Sequence, residues 1–114
     1  MADLEMAWTS FNSPSKKIRV PRNKVANCIS NNKQKAQVLA KIHQAQKPID
    51  LYSFILQTYA KEGFKILDTH LGSGSSAIAS HYAKCEFVGC EIDKGYFEAA
   101  TTRIKNETLQ TAMF

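Results

Sequence analysis

The chain has 114 residues, of which 44% are hydrophobic and 22% are charged, so it has enough apolar material for one folded domain and little room for a second. Its formal net charge of +5 favours polyanionic partners but specifies no chemistry. The sequence contains neither an apolar run long enough to cross a bilayer nor the pattern of a secretory leader, and we expect no membrane association and a cytoplasmic location.

The first region, residues 1–42, is basic and has no regular apolar pattern. Lys16, Lys17 and Arg19 begin a series of lysines and arginines, whereas charges nearly balance in the later part of the chain. Asparagine, lysine and serine clusters between prolines predict an irregular arm with at most one short strand, near residues 17–20. Such an arm is either a surface for phosphate groups or a solvated surface.

The second region, residues 43–114, has the patterns of an α/β core. Ile49, Tyr52, Leu56 and Tyr59 recur at helical spacing, with Gly63 as the expected helix end, and the apolar runs "FKILD" and "EFVGCEID" are typical of buried strands. The predicted order is a helix at 48–61, a strand at 64–68, a helix at 75–83, a strand at 86–93 and a helix capped by Asp93. This order predicts a parallel sheet with a right-handed crossover.

Several residue types receive structural interpretations only. The three cysteines form no Cys-x-x-Cys pair, and the three histidines lack the spacing of metal ligands, so we predict neither a disulfide nor a metal site. Aromatic residues of the predicted helices are interpreted as core. The histidines are His43, His70 and His81, and the aromatic residues are Tyr52, Tyr59, Tyr96 and Phe97.

The stretch "LDTHLGSGSSAIA", residues 67–79, joins the first predicted strand to the following helix. Gly72 and Gly74 allow a sharp turn and leave space for a ligand, while N–H groups at the helix start face a polar or anionic group. Glu91, at the end of the second strand, has the position of a carboxylate that accepts both hydroxyl hydrogens of a ribose. The combination predicts a pocket for an adenosine-containing cofactor.

Two cofactors fit these residues. The spacing Gly72-x-Gly74-x-x-Ala77 satisfies the dinucleotide fingerprint with alanine as its third member. Asp68, four residues before the first glycine, would repel a pyrophosphate but attract the cationic amino acid part of S-adenosylmethionine. We therefore favour S-adenosylmethionine over a nicotinamide dinucleotide. A phosphate-binding loop of nucleotide hydrolases is excluded because no Gly-Lys-Ser or Gly-Lys-Thr follows.

Three segments together carry a family resemblance. "HQAQKPIDLYSFIL", "KILDTHLGSGSSAIA" and "FVGCEID", in this order, resemble the C-terminal half of circularly permuted amino-group DNA methyltransferases, which modify adenine N6 or cytosine N4. "MAWTSFNSPSK" resembles the end of a target-recognition region in phage and restriction-modification members. The resemblance implies a partial, truncated Rossmann-like methyltransferase fold, S-adenosylmethionine as cofactor and DNA as partner.

The resemblance also implies roles for individual residues. Asp68, Thr69, Gly72 and Gly74 would surround the methionine part of the cofactor. Glu91 would hold the ribose, Ile92 would lie near the adenine, and Lys47 and Pro48 would begin the helix that closes the other side. Separately, the charge of the basic arm predicts that Lys16, Lys17 and Arg19 contact DNA phosphates. Where the family often has His-Pro-Thr, this chain has His43, Gln44 and Ala45. A hydroxyl is therefore missing, and we expect reduced cofactor affinity.

A second departure concerns catalysis. The family positions the acceptor amine with an Asp-Pro-Pro-Tyr type segment, and this sequence contains no Pro-Pro. The resemblance therefore implies no catalytic residue in this chain, which would bind the cofactor without methylating DNA alone. An upstream polypeptide or a homo-oligomer would supply the rest. The alternative is a noncatalytic remnant or subunit that binds cofactor or DNA together with another chain.

Overall fold

The computed structural model describes residues 9–14, 16–19, 43 and 46–112. The elements in chain order are α1 (Ile49–Tyr59), β1 (Lys65–Asp68), α2 (Ser75–Tyr82), β2 (Glu86–Gly89) and α3 (Lys94–Ala112). This order confirms the predicted alternation of helices and strands. Most of the predicted arm lies outside the described residues; residues 16–19 form no strand, and Val20 is not described.

The two strands pair in parallel, as predicted. In their register Leu67 lies opposite Val88, and Asp68 lies opposite Gly89. Because parallel strands end at the same edge of a sheet, the residues that follow Asp68 and Gly89 meet there. The expected ligand loop and Glu91 are thereby brought to one edge.

The two strands are less buried than the sequence predicts. Ile66 and Phe87 are partly buried on one face, but Leu67 and Val88 on the other face are 66% and 62% exposed. The physical reason is that α2 packs on β2, with α1 and α3 against α2, whereas no described element covers the opposite face. The prediction of buried strands is therefore wrong for the face that carries Leu67 and Val88.

Helix α2 lies at the centre of the packing. Ile78 is fully buried, and Leu71, Ala77 and Ala100 form a cluster against which Phe87 and Ile104 pack. The small residues of α2 allow its neighbours to approach closely, so the short helix is almost completely enclosed. This packing fixes the helix that follows the glycine-containing loop.

The ends of the helices follow local chemistry. The N–H group of Tyr96 donates to Asp93 Oδ1 over 2.8 Å, which confirms Asp93 as the cap of α3. Helix α1 already ends at Tyr59, and Gly63, with a φ of +85°, belongs to the turn before β1 rather than to the helix end. Phe97 is 45% exposed and so does not belong to the packed face of α3.

The described N-terminal residues contact the end of α1. The ring of Phe11 stacks on that of Tyr59, with centroids 4.7 Å apart, and Ser13 Oγ lies 3.3 Å from the Tyr59 hydroxyl oxygen. Lys16 Nζ is 5.8 Å from the centroid of the same ring.

Among the described helices, none combines the length and the apolar content that crossing a bilayer requires.

Candidate functional site

The loop between β1 and α2 turns back over the end of β2. Gly72 and Gly74 have φ values of +56° and +82°, in the region that favours glycine. The Leu71 N–H group donates to the Cys90 carbonyl over 2.8 Å, and the Gly74 N–H group donates to the Leu71 carbonyl over 3.0 Å. The predicted sharp turn is therefore present, and β2 holds its first part.

Glu91 links this loop to the beginning of α3. Its Oε2 accepts the Gly72 N–H group over 2.9 Å, and its Oε1 accepts the Asp93 N–H group over 3.1 Å. These hydrogen bonds, led by that from Asp93, lower the pKa of Glu91, and the charge of His43 acts in the same direction. The Glu91 carboxylate is therefore an acceptor at the edge of the sheet whose ionised form is stabilised by the backbone.

Asp68 stabilises the loop from the strand side. Its Oδ1 accepts the His70 N–H group over 3.0 Å, and its Oδ2 accepts a short hydrogen bond from the Ser76 hydroxyl. Thr69 Oγ1 lies 2.9 Å from His70 Nδ1, at the exposed side. The Asp68 carboxylate therefore joins the end of β1 to the first turn of α2.

A cleft of about 320 Å³ opens beside the loop, within the size range of small-molecule sites. It lies at the carboxyl ends of the parallel strands, where ligands bind in open α/β sheets. Its lining consists of His43, Lys47, Tyr52, His70, Leu71, Gly72, Ser73, Ser75 and Glu91.

The structure brings three of the predicted cofactor residues into this lining: Lys47, Gly72 and Glu91. The other five lie outside it, although all are close in sequence to lining residues: Pro48, Asp68, Thr69, Gly74 and Ile92. Ile92, next to Glu91, is fully exposed. The predicted DNA-contacting residues Lys16, Lys17 and Arg19 are exposed in the N-terminal segment.

The two glycines of the loop have different surroundings. A Cβ atom at Gly74 would lie 3.0 Å from the Ile104 side chain and 3.5 Å from Ala100 Cβ. The expectation that Gly74 leaves space for a ligand is therefore wrong, because α3 fills that space. The atoms nearest to a Cβ atom at Gly72 would be those of the His43 ring, at 3.9 Å, on the cleft side.

Sequence reasoning missed other lining residues. His43, His70 and Tyr52 border the cleft although they were interpreted structurally, and the His43 ring lies 4.3 Å from that of Tyr96. The sequence signal that could have indicated His43 was its place shortly before Lys47, a predicted cofactor residue. The described residues contain no group of His, Cys, Asp and Glu that could hold a metal ion.

Arg103 is a further residue that the helical pattern did not indicate. It lies on α3, is 8% exposed, and contacts the loop at Ser73 and Ser75. Its position three residues after the buried Ala100 places it beside the apolar face of the helix. A charged residue beside the apolar face of a helix indicates a specific polar partner in the interior, and this was the available signal for Arg103.

The chain resembles known proteins in sequence and in fold. Residues 3–102 match the profile of a family described as DNA methylase, N6_N4_Mtase. The chain is 32% identical over 74 residues to the type II methyltransferase M2.DpnII of Streptococcus pneumoniae, covering 65% of this chain and 28% of that one. It is also 32% identical over 62 residues to the type II methyltransferase M.HindIII of Haemophilus influenzae, covering 54% and 20%.

A third relative, M.HpaI of Haemophilus parainfluenzae, is 33% identical over 67 residues, with 59% of this chain and 21% of that one covered. The chain thus spans between a fifth and just over a quarter of these relatives. Among solved structures, that of an M1.HpyAVI–SAM complex superposes with a TM-score of 0.54 and 30% identity, over 55% of this chain and 32% of that one. This likeness confirms the expected partial Rossmann-like α/β fold.

Proposed function

Because the chain belongs to the family of N6 and N4 DNA methylases, we propose that it is the S-adenosylmethionine-binding part of a site-specific DNA methyltransferase. The observation that carries the proposal is the Glu91 carboxylate, held by N–H groups of Gly72 and Asp93 at the edge of the cleft. The matched M1.HpyAVI structure is a complex with the same cofactor.

The proposed cofactor position follows from the acceptor capacity of Glu91. A carboxylate has about four lone-pair sites, and two of those of Glu91 accept backbone N–H groups. The remaining sites are available for the two ribose hydroxyl groups. Ile92, exposed beside Glu91, offers an apolar surface for the adenine ring, and Lys47 and Gly72 also border the cleft.

The methionine part is proposed to lie nearer the loop. Asp68 has acceptor sites beyond its bonds to His70 and Ser76, and its charge favours an ammonium group over a pyrophosphate. Thr69 follows it on the exposed side of the loop. Gly74 and Pro48 act indirectly in this proposal, because Gly74 allows α3 to approach the loop and Pro48 is the N-cap residue directly before α1.

The proposed reaction is transfer of the methyl group to an exocyclic amine of adenine or cytosine in DNA. The sequence has no Pro-Pro for a segment of the Asp-Pro-Pro-Tyr type, so another polypeptide, or the remainder of a longer chain, would position the amine. The exposed face around Leu67 and Val88 supports this division, since parallel sheets are normally covered on both faces. A noncatalytic subunit is the alternative; methyl transfer after addition of such a polypeptide distinguishes the two.

The proposed domain organisation has a basic arm at residues 1–42 and a cofactor-binding core at 43–114. The arm would contact DNA phosphates through Lys16, Lys17 and Arg19, all of which are exposed. Phosphate contacts of this kind position a protein on DNA without reading its sequence.

The proposal is tested by calorimetric titration of the chain with S-adenosylmethionine. Glu91→Gln keeps the shape of the side chain but removes its charge, and should weaken binding about tenfold to a hundredfold. Glu86→Gln is the matched control, because Glu86 lies in β2 with an exposed side chain, 4.0 Å from Lys65 Nζ. Equal affinity of the two variants would contradict the proposed site.

A further inference from the structure

Arg103 is a buried cation directly behind one wall of the cleft. Its Nη1 lies 2.9 Å from the Ser73 carbonyl oxygen, 3.2 Å from Ser73 Oγ and 2.8 Å from Ser75 Oγ. Ser73 and Ser75 are themselves buried and line the cleft, whereas Arg103 is buried but lies outside the lining of the cleft. Helix α3 therefore contacts the loop through a side chain that a ligand in the cleft would not touch.

The guanidinium group determines how the two hydroxyl groups use their hydrogens. It has only donors, so both serine oxygens accept from it. Ser73 Oγ and Ser75 Oγ are 3.2 Å apart, and one hydroxyl donates its hydrogen to the other. The hydrogen of the second hydroxyl is left for another acceptor, and both serines line the cleft. Arg103 thus makes this wall a hydrogen-bond donor with a positive charge behind it.

We infer that Arg103 is a positioning residue that adapts this wall to the carboxylate of the cofactor's methionine part. A donor wall supported by a cation favours an anionic acceptor, and charge-assisted hydrogen bonds are the stronger kind. The inference rests on the proposed function, because it takes S-adenosylmethionine as the ligand. It assigns the Ser73 and Ser75 wall to the carboxylate, opposite in character to the acidic groups of Asp68 and Glu91.

The experiment compares S-adenosylmethionine with 5′-methylthioadenosine, which has the same nucleoside and sulfur but no amino acid part. Arg103→Met retains the length of the side chain without its donors, and should lower the affinity for S-adenosylmethionine about tenfold while changing that for methylthioadenosine less than about twofold. Lys105→Met, at an exposed position of the same helix, is the control and should change neither. Calorimetry gives both affinities.

The outcomes separate the inference from the proposed function. If the unmodified chain binds neither ligand, the proposed function fails and the inference with it. If it binds S-adenosylmethionine and Arg103→Met weakens both ligands equally, or neither, the inference alone is overturned. Should Arg103→Met not fold, the double variant Ser73→Ala, Ser75→Ala decides, since it removes the hydroxyl donors and leaves Arg103: a selective loss supports the inference, and an unchanged affinity ratio overturns it.

Discussion

At the residue scale, two carboxylates at the edge of the sheet have separate tasks. Asp68 accepts hydrogen bonds from the His70 N–H group, which lies before α2, and from the Ser76 hydroxyl in the first turn of α2. It therefore fixes the loop to β1, the strand that precedes the loop. Glu91 binds the same loop from the neighbouring strand and also the backbone before α3. The loop is thereby held from two strands, and its glycines turn between these attachments.

The acid stability of the chain should depend on Glu91. Its folded pKa is lowered, so its carboxylate stabilises the fold fully above the ordinary glutamate pKa of about 4.3, and this contribution is lost as the pH falls through the folded pKa. The difference in unfolding free energy between the unmodified chain and Glu91→Gln should be constant above about pH 5 and shrink below it. Urea titrations from acidic to neutral pH measure it. A difference independent of pH would show that the N–H groups do not shift this carboxyl.

The two glycines of the loop should respond differently to alanine. Both substitutions strain a backbone of positive φ, but Gly74→Ala also forces a Cβ atom to 3.0 Å from Ile104. We expect Gly74→Ala to cost about 2 to 4 kcal/mol of stability and Gly72→Ala about 1 to 2 kcal/mol. Chemical denaturation compares them. A larger cost at Gly72 would contradict the packing of α3 on the loop.

The sequence indicated the residues whose chemistry is local and missed those whose role depends on distant contacts. The turn glycines, the cap at Asp93 and the position of Glu91 just after β2 follow from type and spacing alone. Arg103 contacts Ser73 across 30 positions, and nothing in the neighbourhood of either residue specifies that partner. The occupation of the space at Gly74 by Ile104 is equally nonlocal.

At the element scale, the order and type of the helices and strands followed from periodicity, but the burial of the sheet did not. The runs around Leu67 and Val88 were interpreted as buried because they are apolar. Their exposure depends on whether another element covers that face, and no pattern inside a strand specifies this. An apolar run of this kind is found both in strands buried by their own chain and in strands buried by another polypeptide.

This exposed face gives a prediction about stability. Leu67→Lys should change the unfolding free energy of the chain by less than about 0.5 kcal/mol, because the side chain is 66% exposed. Ile78→Ala, at a fully buried position of α2, should cost about 2 to 5 kcal/mol. Denaturant titrations of both variants test the difference. A large loss at Leu67 would mean that this face is covered in solution, for example by a second copy of the chain.

At the scale of the whole molecule, the cleft and the basic segment are separate surfaces, for which we propose separate partners. In the basic segment, the Lys16 ammonium group lies over the Tyr59 ring at the end of α1, whereas the cleft lies at the carboxyl ends of the strands. Changes in one surface should therefore leave the other intact. This independence allows the cofactor and the DNA parts of the account to be tested individually.

DNA binding should be weak, indifferent to sequence and strongly reduced by salt. Replacing Lys16, Lys17 and Arg19 with alanine should lower the affinity for DNA. It should also reduce the slope of log affinity against log salt concentration by up to about three. Fluorescence anisotropy with two unrelated duplexes at several salt concentrations provides the slope. An unchanged slope would identify these residues as a solvated surface; the affinity for S-adenosylmethionine is the internal control and should be unaltered.

The central claim, that this cleft accepts S-adenosylmethionine, is tested most directly by titrating the unmodified chain with S-adenosylmethionine and with NAD under identical conditions. The account predicts saturable binding of S-adenosylmethionine at one site per chain and no detectable heat of binding for NAD, because Asp68 disfavours a pyrophosphate beside the loop. Equal binding of the two ligands, or binding of NAD alone, would contradict it.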